Sequence, residues 1–412
     1  MAKDGSEAFA MNRAITFPNR AKRLPVDEPI IPLSAPCFNG NEWRYLKECL
    51  DTGWVSSAGP FVGRFEEAIA RTVDSRYAVA TVSGTAALHT ALQVVGVRPD
   101  EEVVVSALTF IAPVNAIRYC GAYPVFMDAD ASSWQMDPHK LEQFLDEECE
   151  MRDGACHNRR TGRRVRAVLP VHLLGLACDM DRIMATARRH RLLVVEDAAE
   201  AIGVRYGGRH VGTFGAVGVL SLNGNKTITA GGGGMLLTNE STLADAARYL
   251  TTQAKDDGEE HVHKQIGYNY RLTNLQAALG LAQLEQLEAL CERKRAIAQR
   301  YTQAFVGIDG ITPMPMPPRV EPTYWLYTVL LNQLAKAQRR SVIRELRQRK
   351  IEARPLWHPI HALPPYGGCQ AYRIEQATRL HAQGVSLPCS AGLHAEDQQR
   401  CIEAMIECLQ QR

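Results

Sequence analysis

Features that would place the sequence at once are missing from it. No C-x-x-C pair occurs among its eleven cysteines, which are scattered and odd in number. Neither a disulfide framework nor a metal site such as a zinc centre is therefore expected, and the thiols fit a reducing cytoplasm. No apolar run approaches membrane-spanning length, and residues 1–30 carry charges and prolines without an apolar signal centre, so they read as an N-terminal arm. Charge of one sign is lacking too. The 47 basic residues face 45 acidic ones, and a net +2 leaves no global field to recruit nucleic acid or an anionic membrane. An anionic ligand must be held locally. No internal repeat is evident, and the G-x-G-x-x-G turn of nicotinamide oxidoreductases is missing from Val82-Ser83-Gly84-Thr85-Ala86-Ala87-Leu88, where a first strand meets a helix.

What is present is the composition of a soluble globular protein. At 412 residues and 46% hydrophobic content the chain can bury a sizeable core, in roughly two or three domains. Trp43, Leu46 and Leu50 have helical spacing, with a stop expected at Thr52-Gly53. From residue 77 short apolar runs at 77–82, 103–106, 124–127, 167–171, 192–196, 218–221 and 235–238 alternate with helical stretches. This predicts an α/β protein with a mostly parallel seven-stranded sheet wrapped by helices. The charged stretch 146–166 reads as a solvated hairpin or loop, and 275–305 as one long amphipathic helix leading into a smaller C-terminal α/β domain. In that domain a strand is expected over 324–331 and a helix over 341–350. The proline-rich run Arg354-Pro355-Leu356-Trp357-His358-Pro359-Ile360-His361 reads as a shaped loop. The boundaries drawn are an arm to residue 30, a large domain over 31–275 and a small one over 276–412.

Four segments carry chemistry. Lys226 lies in Ser221-Leu222-Asn223-Gly224-Asn225-Lys226-Thr227-Ile228-Thr229-Ala230, followed by four glycines. Small polar neighbours and a glycine run let backbone approach a bulky ligand, and a desolvated lysine is a nucleophile, as a pyridoxal phosphate Schiff base requires. The alternative is a surface lysine before a turn. Ser83-Gly84-Thr85-Ala86-Ala87 follows a strand and opens a helix, which suits a phosphate or a plain N-cap. Asp197 follows an apolar strand, where it serves either a pyridine nitrogen or a helix cap. Phe110, past another strand, either stacks on a flat ring or joins the core.

These segments, with Gly267-Tyr268-Asn269-Tyr270-Arg271-Leu272, resemble in order the DegT-like (DegT/DnrJ/StrS) nucleotide-sugar aminotransferases, of the fold-type I pyridoxal phosphate enzymes. The resemblance runs from about residue 31 to the C-terminus. It implies Lys226 as the Schiff-base lysine and Asp197 as the partner of the pyridine nitrogen. Phe110 would stack on the ring, and Ser83, Gly84, Thr85 and Ser221 would hold the phosphate, with Asn223 beside them. Asn269 would reach in from a partner subunit, which makes the protein a homodimer with shared sites. Glu200 departs from the Gln or His common in the family, near the cofactor's 3′-oxygen.

Gly40-Asn41-Glu42-Trp43 and Asp51-Thr52-Gly53-Trp54-Val55-Ser56-Ser57-Ala58-Gly59 resemble the branch serving legionaminic acid and bacillosamine synthesis, for bacterial surface glycans. The implied donor is L-glutamate. The implied acceptor is a UDP- or GDP-linked 4-keto-6-deoxy sugar with a 2-acetamido group. Trp54, Tyr270, Arg271, His358 and His361 are the candidate substrate contacts. The alternatives are a dehydratase of the same fold, whose pattern has histidine at the Lys226 position, and an aminotransferase for another deoxysugar such as perosamine.

Overall fold

A computed structural model describes residues 29–257, 259–332 and 336–410, so the expected arm falls outside the described residues except at 29 and 30. All seven expected strands form, within two residues of the boundaries read from the apolar runs. The central sheet runs in the order Tyr77–Thr81, Gly234–Thr238, Val217–Ser221, Leu193–Asp197, Val165–Leu169, Glu102–Ser106, Tyr123–Met127 and Ala371–Tyr372. It has eight strands rather than seven. The eighth has only two residues, too few to leave a sequence pattern, and comes from the C-terminal part of the chain. Only Gly234–Thr238 runs against its neighbours.

Burial follows the two-residue period of a strand covered on both faces. Val103 and Val105 pack into one apolar core while Val104 packs into the other, and Val195 and Val194 divide in the same way. With the strands aligned, the residues just past Thr81, Ser106, Leu169, Asp197 and Ser221 gather along one edge, where ligands of open α/β sheets collect. The start of the antiparallel strand, at Gly234, lies on that edge too.

A second, antiparallel sheet runs Ile311–Thr312, Tyr327–Leu331, Gly384–Leu387 and Arg354–Pro355, alongside helices Lys336–Gln348 and Ala395–Gln410. The expected strand and helix both appear here, and the charged stretch separately forms a short hairpin, Cys149–Arg152 with Ala155–Asn158, beside the central sheet. The expected long helix does not appear. It is two helices, Asn274–Leu284 and Leu287–Phe305. The break is held from outside: Glu285 accepts from Asn41 Nδ2 and Tyr45 Oη, and Gln283 and Gln286 both donate to Glu42. The early helix, Glu42–Thr52, ends at Gly53 in a left-handed cap, as the sequence suggests. Two residues of its expected apolar face, Trp43 at 78% and Leu50 at 63%, are exposed, however, because Glu42, Tyr45 and Cys49 take the side toward the core.

Candidate active site

The strand ends enclose a cavity of about 550 Å³, lined by Ser83, Gly84, Thr85, Phe110, Asp197, Glu200, Ser221, Asn223 and Lys226 among others. Nine of the sequence-derived site residues therefore meet in one place. Lys226 sits on the loop after Val217–Ser221. That loop is pinned by the Lys226 N–H to Asn223 O and by Asn225 O, which accepts from both Trp325 Nε1 and Ser34 Oγ. The amine lies 3.9 Å over the Trp325 ring and 3.7 Å from Glu200 Oε1. Burial lowers its pKa, opposed by the nearby charges of Glu200 and Asp197.

Asp197 ends its strand fully buried, with Oδ1 accepting from Ala199 N–H at 3.0 Å. No helix follows it, which removes the helix-cap reading. Burial raises its carboxyl, against the Ala199 N–H and the positive charge of Lys226. A buried acid with so little compensation calls for a cationic partner. Its neighbour Glu196 takes the opposite face, accepting from His172 and from the backbone N–H groups of Gly212, Phe214 and Gly215, which locks the strand end. Glu200 accepts from Leu174 N–H at 2.8 Å and turns its other oxygen to Lys226, and burial pushes its carboxyl up to about 7.

Ser83 caps helix Gly84–Val94 through Ala86 N–H, which leaves the first-turn N–H groups of Gly84 and Thr85 without intrahelical acceptors at the cavity wall. Gly84 is needed for the close approach, since a Cβ there would stand 3.0 Å from Ser221 Cβ. Phe110 is 55% exposed although it lines the cavity, so the core reading fails and a bare aromatic face stands over the site.

These residues fit pyridoxal phosphate: a desolvated amine for its aldehyde, a buried acid for its pyridine nitrogen, a helix N-terminus for its phosphate and an aromatic face for its ring.

Six expected residues do not line the cavity. Trp54 and Asn269 are exposed, the latter paired with Thr252 in an isolated bridge. Tyr270 stacks on Tyr268 and meets His89, and Arg271 is exposed beside Thr81. His358 packs on His381, and His361 turns to Phe126, as the chain leaves the cavity wall after Trp357 through Pro359 and a short 3-10 turn. In their place the cavity receives Ser34, Trp325, Glu352, Arg354 and Trp357. Sequence reasoning passed over these because Trp325 lay in an apolar strand run, and because the loop containing Arg354 offered no periodicity to orient it.

The fold and site define a pyridoxal phosphate-dependent aminotransferase. A profile of the DegT/DnrJ/EryC1/StrS aminotransferase family matches residues 36–406. The sequence is 40% identical over 394 residues to GDP-perosamine synthase of Caulobacter vibrioides, across 93% of this chain and 99% of that protein. It is 37% identical over 380 residues to Bacillus subtilis EpsN, provisionally named a pyridoxal phosphate-dependent aminotransferase, across 91% and 95% of the two. A DegT DnrJ EryC1 StrS aminotransferase structure from Brucella abortus aligns with a TM-score of 0.80 at 28% identity, across 89% and 94%. The chain belongs to the DegT/DnrJ/EryC1/StrS family and is a sugar aminotransferase.

Proposed function

We propose that the protein transfers the amino group of L-glutamate to C4 of a GDP-linked 4-keto-6-deoxy-hexose, in a perosamine-type reaction. The observation that carries this reading is the 40% identity with GDP-perosamine synthase over nearly the whole of both chains. The legionaminic acid or bacillosamine branch expected from the sequence, with its 2-acetamido sugar, finds no such support.

When bound, pyridoxal phosphate supplies an aldehyde carbon for amine exchange and a ring that stores an electron pair. The protein's own residues do the rest. Lys226 Nζ takes the proton from Cα of the donor and, in the reverse half-reaction, delivers one to C4 of the sugar. Its burial favours the neutral amine that this requires. Asp197 keeps the proton on the pyridine nitrogen, the helix at Gly84 and Thr85 holds the phosphate, and Phe110 covers the ring. In this reading the enzyme works in the cytoplasm as a homodimer, with a large domain to about residue 275 and a small one beyond it. Asn269 completes the site of the partner subunit.

Incubating the enzyme with L-glutamate and, separately, GDP- and UDP-linked 4-keto-6-deoxy sugars tests the assignment, with 2-oxoglutarate and the amino sugar measured by mass spectrometry. Conversion of the GDP sugar is expected. Turnover of a UDP-linked 2-acetamido sugar alone would restore the other branch.

A further inference from the structure

Five ionisable side chains line the cavity: Asp197, Glu200, Lys226, Glu352 and Arg354. Three are acids, and the amine of Lys226 serves the cofactor. A donor such as L-glutamate brings two more carboxylates into this surplus of negative charge, and among the described lining residues only the guanidinium of Arg354 is left to meet one.

Arg354 is also oriented for that task. Glu352 Oε1 accepts from both Nε, at 3.1 Å, and Nη2, at 2.7 Å, while Glu352 Oε2 accepts from Leu33 N–H at 3.0 Å. One edge of the guanidinium fork is thus held by an acid that is itself held by backbone. Although burial opposes it, the Leu33 N–H and Arg354 keep the Glu352 carboxyl below its ordinary value, so the pair stays ionic. The other edge, Nη1 with the second N–H of Nη2, has no acceptor among the described residues, and the side chain is 61% exposed. A planar fork with a free edge is suited to a second carboxylate, bound through two parallel hydrogen bonds. The backbone below is firm, since Arg354 pairs with Ser386 in the second sheet. Three residues on, Trp357 stacks on Trp325 at 6.2 Å and 11°, and it is the Trp325 ring that lies under Lys226 Nζ. Arg354 and the reacting amine therefore belong to one continuous wall of one cavity.

We infer that the free edge of Arg354 binds a carboxylate of the amino-acid donor and so selects the donor. The inference rests on the aminotransferase reading, and it deepens that reading by naming a recognition residue. The diphosphate of the nucleotide sugar is an anion as well, so the test separates the two. Arg354→Gln and Arg354→Lys are compared with the parent holoenzyme in the single-turnover half-reaction with L-glutamate, followed by cofactor absorbance. Binding of 2-oxoglutarate and of GDP is measured by calorimetry. Arg354→Gln should weaken L-glutamate and 2-oxoglutarate by about tenfold to a hundredfold, the range for a hydrogen-bonded charge pair, and leave GDP unchanged. Arg354→Lys keeps the charge but not the fork, and should recover only part of the loss. Undiminished binding of L-glutamate and 2-oxoglutarate, or a loss found for GDP instead, overturns the assignment. Should the parent react with L-glutamate in an Arg354-dependent way yet aminate no GDP-linked keto sugar, the acceptor assignment fails while the subsite stands. A parent inert toward L-glutamate overturns both.

Discussion

Lys226 and Glu200 face each other across 3.7 Å in a place where burial opposes both charges, lowering the amine and raising the carboxyl to about 7. Two consequences are measurable. Lys226→Ala removes the only amine lining the cavity among the described residues, and transamination should fall by roughly a thousandfold or more, the scale of a lost proton-transfer group. Circular dichroism should be unchanged. Turnover within tenfold of the parent would remove Lys226 from the mechanism. Glu200 gives a pH signature in the cofactor-free protein. Its folded value lies above the ordinary 4.5, so its contribution to stability is complete below that pH and is lost as pH rises through about 7. Glu200→Gln keeps an acceptor for Leu174 N–H but cannot ionise. Its Tm should therefore fall less than the parent's between those two pH values, and parallel Tm profiles by calorimetry would show that Glu200 does not titrate there.

At the scale of elements, the site depends on how closely the start of helix Gly84–Val94 approaches the end of strand Val217–Ser221. In Gly84→Ala the new Cβ stands 3.0 Å from Ser221 Cβ and 3.3 Å from Ser221 Oγ, so one of the two must move. Overpacking of this kind costs about 1–3 kcal/mol. It also displaces the first-turn N–H groups assigned to the phosphate. Urea unfolding should show the stability loss, and equilibrium dialysis should show weaker retention of pyridoxal phosphate. Cofactor affinity equal to the parent's would separate the helix start from phosphate binding. The two helices at Asn274–Leu284 and Leu287–Phe305 illustrate a different dependence. Their sequence has one continuous helical period, and the break in it is held by bonds donated from Asn41 and Tyr45 and accepted by Glu42.

In the whole molecule, Phe38, Trp43, Leu50 and Trp54 are each more than half exposed along one stretch of the chain, an unusual concentration for a lone subunit. Asn269 is exposed and does not line the cavity of its own chain. Both facts support the proposed dimer with shared sites, and two-fold pairing is the commonest assembly. If Asn269 completes the neighbouring site, then Asn269→Ala mixed with Lys226→Ala should form hybrids with one intact site out of two. Those hybrids should recover activity that neither parent variant has. Lack of recovery in verified hybrids, or a monomer by light scattering at assay concentration, would show that each chain carries a whole site.

The apolar runs determined the seven main strands, because a strand buried on both faces must be apolar along its length. The expected helices follow the first four of them, whereas Leu193–Asp197 and Val217–Ser221 are each followed by a connection without a helix. Local chemistry likewise marked Lys226, Asp197, Ser83 and Gly84, since each lies beside a strand end whose position the pattern gives. Placement across the chain was decided only by the tertiary structure. His358 and His361 share a segment with Arg354 and Trp357, yet the fold brings the latter two to the cavity and packs the histidines elsewhere, because strand pairing with Gly384–Leu387 fixes Arg354 while His381 and Phe126, distant in sequence, receive the two imidazoles. The exposure of Trp43 has the same origin. Helical spacing says that apolar residues share a face, but which face is buried depends on what packs against it, and Glu42 with its partners at Gln283 and Gln286 took that place.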